Sequence, residues 1–181
     1  MQLNQSRLKQ AAWLRRWAAG FLILLASVLV QAVHADVVSA YPQAQDLFPQ
    51  ADKFGEFEGE PRAAPVYGKD QLLGYVFLTQ DMVRIPAYSG RPINVLVGID
   101  MSGRITGARI IHHEEPILQA GISEDQIRWF VDQFRGKSTA GHITIGAHRE
   151  GYETVDAISG ATITLMVLNA TITRAVKMVA V

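Results

Sequence analysis

Near the end of this 181-residue chain, Ser159 and Gly160 are followed by Leu165, Leu168, Ile172, Val176 and Val179 at intervals of three or four residues. Apolar side chains at that spacing share one face of a helix, and a Ser-Gly pair suits the residues just before it. The pattern predicts a helix over residues 161–179 whose buried stripe has to be covered by other elements. A helix start leaves backbone N–H groups unpaired and carries the positive end of the macrodipole, so the hydroxyls there stand where a phosphate is stabilised.

The rest of the chain supplies those covering elements. Residues 71–79 contain Leu72, Leu73, Tyr75, Val76, Phe77 and Leu78 and read as a core strand, with Gly74 allowing a bulge or a close backbone approach. In residues 93–100, Ile93, Val95, Val97 and Ile99 fall on one pleated face. Met101-Ser-Gly103 then turns the chain, and Ile105, Ala108, Ile110 and Ile111 return as the second arm of an antiparallel hairpin. Ser123 followed by Gln126 matches a capping box, which opens a helix buried through Ile127, Phe130, Val131 and Phe134 and closed by Gly136. Two short extended pieces are expected at 143–145 and 154–156. Residues 36–65, with Pro42, Pro49, Pro61 and Pro65, read as a short helix and an irregular lead-in. The expected fold class is α+β: a single domain over residues 66–181 with an antiparallel sheet packed against helices on one side, and a C-terminal helix starting at the Ser-Gly-Ala-Thr motif.

Residues 1–35 have a different grammar. Arg7, Lys9, Arg15 and Arg16 precede an apolar run over residues 18–30 and the small-residue site Val33-His34-Ala35. This is the pattern of a signal peptide cleaved after Ala35, or of an N-terminal membrane anchor if residues 17–33 stay in the bilayer. An exported, periplasmic protein is the expectation. The segment holds four of the seventeen basic residues and no acidic one, so thirteen basic against seventeen acidic residues leave the remainder at a formal charge of −4. A mildly acidic domain lacks the basic stripe of a nucleic-acid binder. The absence of cysteine rules out disulfides, thiolate zinc sites and iron–sulfur ligation within the chain, so any redox chemistry has to come from an organic cofactor.

The segment Asp156-Ala-Ile-Ser-Gly-Ala-Thr162 resembles the flavinylation motif of the FMN-binding domains of Rnf and Nqr electron-transport complexes and of NosR/NirI regulators, Asp-x-x-Ser/Thr-Gly-Ala-Thr, at Asp156, Ser159, Gly160, Ala161 and Thr162. The order of features agrees from residue 66 to residue 180, including Gly-Tyr-Val-Phe at 74–77, Gly-Arg-Pro-Ile at 90–93 and His-His-Glu-Glu-Pro-Ile-Leu at 112–118. The resemblance implies FMN joined through its phosphate to the Thr162 oxygen by a flavin transferase that uses FAD and a metal ion. Asp156 would place that metal ion, cap the turn, or do both. Glu114 and Pro116 match the loop that approaches the flavin in Rnf and Nqr members, commonly Glu-Thr-Pro-Gly-Leu-Gly, whose Thr and Gly are missing here. NosR-like members continue into membrane helices and ferredoxin modules. A membrane electron-transfer partner and a role in nitrous oxide reduction are therefore further implications of the resemblance.

Three other readings accompany this one. His112, His113, Glu114 and Glu115 are competent metal ligands, but neighbours on a strand point to opposite faces, so the two His do not readily share one ion. Tyr88, Tyr152, Leu165 and Met166 are candidates to cover a flavin ring, and each is equally suited to the core. A noncovalent ligand-binding or sensing module uses the same elements. A flavin reductase would want a second nucleotide motif such as Gly-x-Gly-x-x-Gly, which is absent.

Overall fold

The residues of strand β4, Asn94–Asp100, are buried from Asn94 to Ile99, which places this strand between two cores. A computed structural model describes residues 37–180; the expected signal peptide or anchor at 1–35 lies outside the described residues. Along the chain come helices α1 (Val37–Ala40) and α2 (Ala44–Leu47), then strands β1 (Lys53–Phe54), β2 (Ala64–Gly68) and β3 (Gln71–Leu78). After β4 follow β5 (Ile105–His112), helices α3 (Pro116–Ala120) and α4 (Glu124–Asp132), strands β6 (Ile143–Ile145) and β7 (Glu153–Val155), and helix α5 (Thr162–Val179).

Strands β1 to β5 form one antiparallel sheet in sequence order, each joined to the next. Phe77 of β3 lies opposite Val97 of β4, and Val97 lies opposite Ala108 of β5. The β4–β5 turn is set by Asp100, whose Oδ1 accepts from the Ser102 amide at 2.8 Å, the Ser102 hydroxyl at 2.7 Å and the Arg104 amide at 2.9 Å. Partial burial pushes the Asp100 pKa up, but these donors and the Arg104 charge outweigh it and hold the carboxyl below its ordinary value. The bulge expected around Gly74 is present: Val66 pairs with Gly74 and Tyr67 with Leu72, leaving Leu73 as the extra residue.

On one face, Val95, Val97 and Ile99 pack with Phe77, Ile105 and Ala108 against Phe130 and Val131 of α4 and Leu165, Leu168, Ile172 and Val176 of α5. Phe130 and Phe134 meet edge to face at 5.7 Å, a geometry worth about 0.5–1.5 kcal/mol beyond area burial. On the other face Leu96, Val66, Val76 and Leu78 pack against Val37, Ala44, Leu47 and Phe48. The segment expected to be a lead-in therefore covers the sheet's second face and supplies β1 and the first two residues of β2, so helices lie on both sides rather than one. The reason is legible in β4 itself, since a near-continuous apolar run marks a strand buried on both faces. The capping box of α4 is formed as expected, with Ser123 Oγ accepting from the Gln126 amide at 3.2 Å and Gln126 Oε1 accepting from the Ser123 amide at 3.0 Å. The two short extended pieces pair with each other in parallel, Ile143 opposite Glu153 and Ile145 opposite Val155. That pair directs the chain toward the start of α5.

Candidate functional site

Between β7 and α5 the chain is fastened at two points and pushed outward between them. The Asp156 amide donates to Gln133 Oε1 at 2.7 Å and its carbonyl accepts from Gln133 Nε2 at 3.3 Å, which ties the loop to the end of α4. Ile158 and Ala161 are buried. The Ala161 amide closes a turn onto the Ile158 carbonyl, so Ser159 and Gly160 are left exposed. Gly160 has φ +84°, a conformation that a side chain disfavours. The chain then enters α5 at Thr162, one residue later than the spacing predicts, with Ala161 as the N-cap residue and no side chain capping the helix. The N-terminus of an 18-residue helix thus faces outward with uncapped amides and an exposed threonine in first position.

Thr164, two residues on, points the other way and is buried. Its hydroxyl donates to Glu115 Oε2 at 2.8 Å. Glu115 is itself fully buried and also accepts from the Ser89 amide at 2.8 Å and the Tyr88 amide at 3.3 Å. Burial raises the carboxyl's pKa, but donors from Ser89, Thr164 and Tyr88 outweigh it and hold Glu115 below its ordinary value, so it is ionised at neutral pH. One carboxylate therefore joins three separate pieces: the turn at 88–89, the start of α3 and the first turn of α5.

These pieces enclose an open groove of about 600 Å³, walled by Tyr88, Pro116, Ile117, Gly121, Ile163 and the residues 160–162. Thr162, Gly160, Ala161 and Pro116 come together in it, with Ser159 beside them on the exposed turn. Asp156 and Glu114 are not among its walls. Glu114 is directed to Arg91 at 3.1 Å and to His112 Nε2 at 3.7 Å. Of the candidate ring-covering residues, Tyr88 lines the groove, Leu165 is in the core, Met166 is exposed on α5, and Tyr152 packs against His142 and Arg149. Thr164, Ile117 and Ile163 were not singled out by sequence, and Glu115 was considered only as a metal ligand, not as the buried acceptor that it is. A second cleft, of about 370 Å³, surrounds Arg109, whose guanidinium is already paired with Asp132 at 2.6 Å and Asp46 at 3.4 Å. No group of three or more His, Asp or Glu converges among the described residues.

Residues 88–177, from the groove's tyrosine to the last turns of α5, match the model of the FMN-binding domain. The chain belongs to the FMN-binding domain family. Within this family it is 35% identical over 167 residues to regulatory protein NosR of Stutzerimonas stutzeri, an alignment covering 91% of this chain and 23% of NosR. Protein NirI of Paracoccus denitrificans is 34% identical over 110 residues, 61% of this chain and 15% of NirI. A component of the proton-translocating ferredoxin:NAD(+) oxidoreductase complex of Clostridium ljungdahlii is 28% identical over 137 residues, 74% of this chain and 68% of that component. The chain spans about a quarter of the length of the NosR relative it matches. The groove suits the family's cofactor: its volume lies in the range of about 300–1,000 Å³ typical of small-molecule sites, its walls are largely apolar, and an uncapped helix N-terminus opens onto it.

Proposed function

We propose that this protein is a periplasmic electron-transfer domain carrying FMN in phosphoester linkage to Thr162, exchanging electrons with a membrane redox partner. The observation that carries the reading is the placement of Thr162: an exposed threonine, first in an uncapped helix, on the rim of an apolar groove. In attachment, a flavin transferase uses FAD as donor. The Thr162 oxygen bonds to the FMN phosphorus, the phosphoanhydride bond of FAD breaks, AMP leaves and the hydroxyl proton goes to solvent or a transferase base. The amides of the first turn of α5 and its dipole stabilise the phosphate's negative charge, so the tether and its charge are held by the same element. Tyr88, Pro116, Ile117 and Ile163 offer the ring an apolar surface and limit its contact with water. Asp156, exposed and held by its backbone, is free to assist the transferase's metal ion from outside the groove. When bound, FMN itself supplies the acceptance and release of electrons, and the protein supplies binding, orientation and electrostatics.

The likeness to NosR supports a setting in which the electrons serve nitrous oxide reduction, with membrane and ferredoxin modules outside this chain as partners. The likeness to a component of a ferredoxin:NAD(+) oxidoreductase complex supports the electron-carrying role itself. The test is co-expression of the full chain with a flavin transferase, followed by denaturing electrophoresis and intact mass. Flavin fluorescence in the denatured band is expected for wild type and for Thr162→Ser, and its loss for Thr162→Ala. Fluorescence that survives Thr162→Ala overturns the assignment. Flavin that binds the wild type but leaves on denaturation establishes the noncovalent binding module instead.

A further inference from the structure

Beneath the groove, Glu115 occupies a position that the flavin reading does not use. It is fully buried, yet its carboxylate is satisfied by donors from the Ser89 amide at 2.8 Å, the Thr164 hydroxyl at 2.8 Å and the Tyr88 amide at 3.3 Å. Its chain neighbour Pro116 and two of the residues that donate to it, Tyr88 and Thr164, line the groove. The wall rests on these hydrogen bonds and not on the charge itself, because a neutral acceptor of similar shape meets the same donors without desolvating a charge. The charge is therefore available to act on whatever occupies the groove. A negative charge with little water around it is screened weakly and opposes the addition of electrons nearby.

Resting on the flavin reading, we infer that Glu115 is the positioning and tuning residue of this site: it fixes the Tyr88 wall of the groove, and its buried negative charge makes the bound flavin harder to reduce. It acts on the cofactor through Tyr88 and through the field, without touching the reacting ring. Tyr88 is 74% exposed, so its side chain has little packing of its own to hold it. The two backbone bonds from residues 88 and 89 to Glu115 fix the main chain from which it projects. Electron balance is unaffected by this role, since Glu115 neither gains nor loses electrons or protons in it.

The experiment compares the flavin-loaded wild type with Glu115→Gln, Glu115→Thr and Glu115→Asp, reading intact mass, midpoint potential and flavin fluorescence. Removing the charge is expected to raise the potential in both the Gln and Thr variants, while Asp keeps it near the wild-type value. Gln, which retains the side-chain length, is expected to keep fluorescence closer to wild type than Thr does. Unchanged potentials in whichever uncharged variant retains flavin, or an Asp variant shifted as far as Gln, would overturn the inference. Loss of flavin from the wild type's denatured band is a different result, which bears on the Thr162 tether and not on Glu115.

Discussion

Replacing Thr164 by valine keeps the shape of the first turn of α5 and removes one hydroxyl. Thr164 is 2% exposed, and the bond it loses is the 2.8 Å donation to a carboxylate that is itself fully buried. A hydrogen bond to a charged group contributes about 1.5–3 kcal/mol, and water cannot readily replace a donor at a site this closed, so the variant should lose stability in that range at neutral pH. The loss should also depend on pH. Burial pushes the Glu115 carboxyl up and its donors pull it further down, so its pKa in the folded state lies below the ordinary value. A depressed carboxylate contributes stability that is whole above the unfolded pKa, about 4.3, and disappears as pH falls through the folded value. Thr164→Val removes part of that depression, so the two proteins should converge in acid. Urea unfolding in steps from neutral pH down through the acid range measures this, with the slope checked for two-state behaviour. A cost below about 0.5 kcal/mol at neutral pH, or one that does not shrink anywhere as the pH falls, would refute the reasoning.

Other perturbations probe the remaining joints. In Gly74→Ala the new methyl carbon would run into the Ile99 carbonyl oxygen and lie 2.9 Å from the Asp100 Cα, both backbone atoms of the paired strand, so a loss above about 3 kcal/mol is expected in thermal or urea unfolding. A melting curve that matches wild type would show that β3 and β4 separate there at little cost. Ser123→Ala removes the Oγ that accepts from the Gln126 amide at the start of α4, leaving the Ser123 amide bonded to Gln126 Oε1, and should cost about 0.5–2 kcal/mol without altering flavin attachment, read by unfolding and by intact mass. Thr162→Ala should abolish covalent flavin, and Glu115→Gln should raise the flavin potential, as read by the assays above.

What could be read from the sequence was what is local. The capping box at Ser123 and Gln126 formed because both partners lie within one turn, and the alternation of Val95, Val97 and Ile99 named the face that meets α4 and α5. The last helix was placed to within a residue, because its stripe is periodic and Gly160 breaks the chain just before it. The parallel pairing of β6 with β7 was not legible, since nothing in three-residue strands records the direction of a partner. Adjacent glutamates were equally opaque. Glu114 and Glu115 are chemically alike, and which is buried is decided by the amides of residues 88 and 89, twenty-six or twenty-seven positions away. The two four-residue helices that close the second sheet face are too short to show a period, although the apolar Leu96 between Val95 and Val97 was a sign that something had to cover it.

The stretch that matches the FMN-binding domain model, residues 88–177, begins after β3, so that outline and the packed unit do not coincide. Cut at that outline, β4 would lose its neighbour along Leu96 to Asp100, baring a row of unpaired amides and carbonyls of the sort that invites strands from other molecules. Leu96 and its surroundings would lose Val76, Leu78 and the helices that shield them from water. The groove owes its footing to residues that contribute nothing to its walls, and a miniaturised flavin carrier would have to bring them along or invent a substitute.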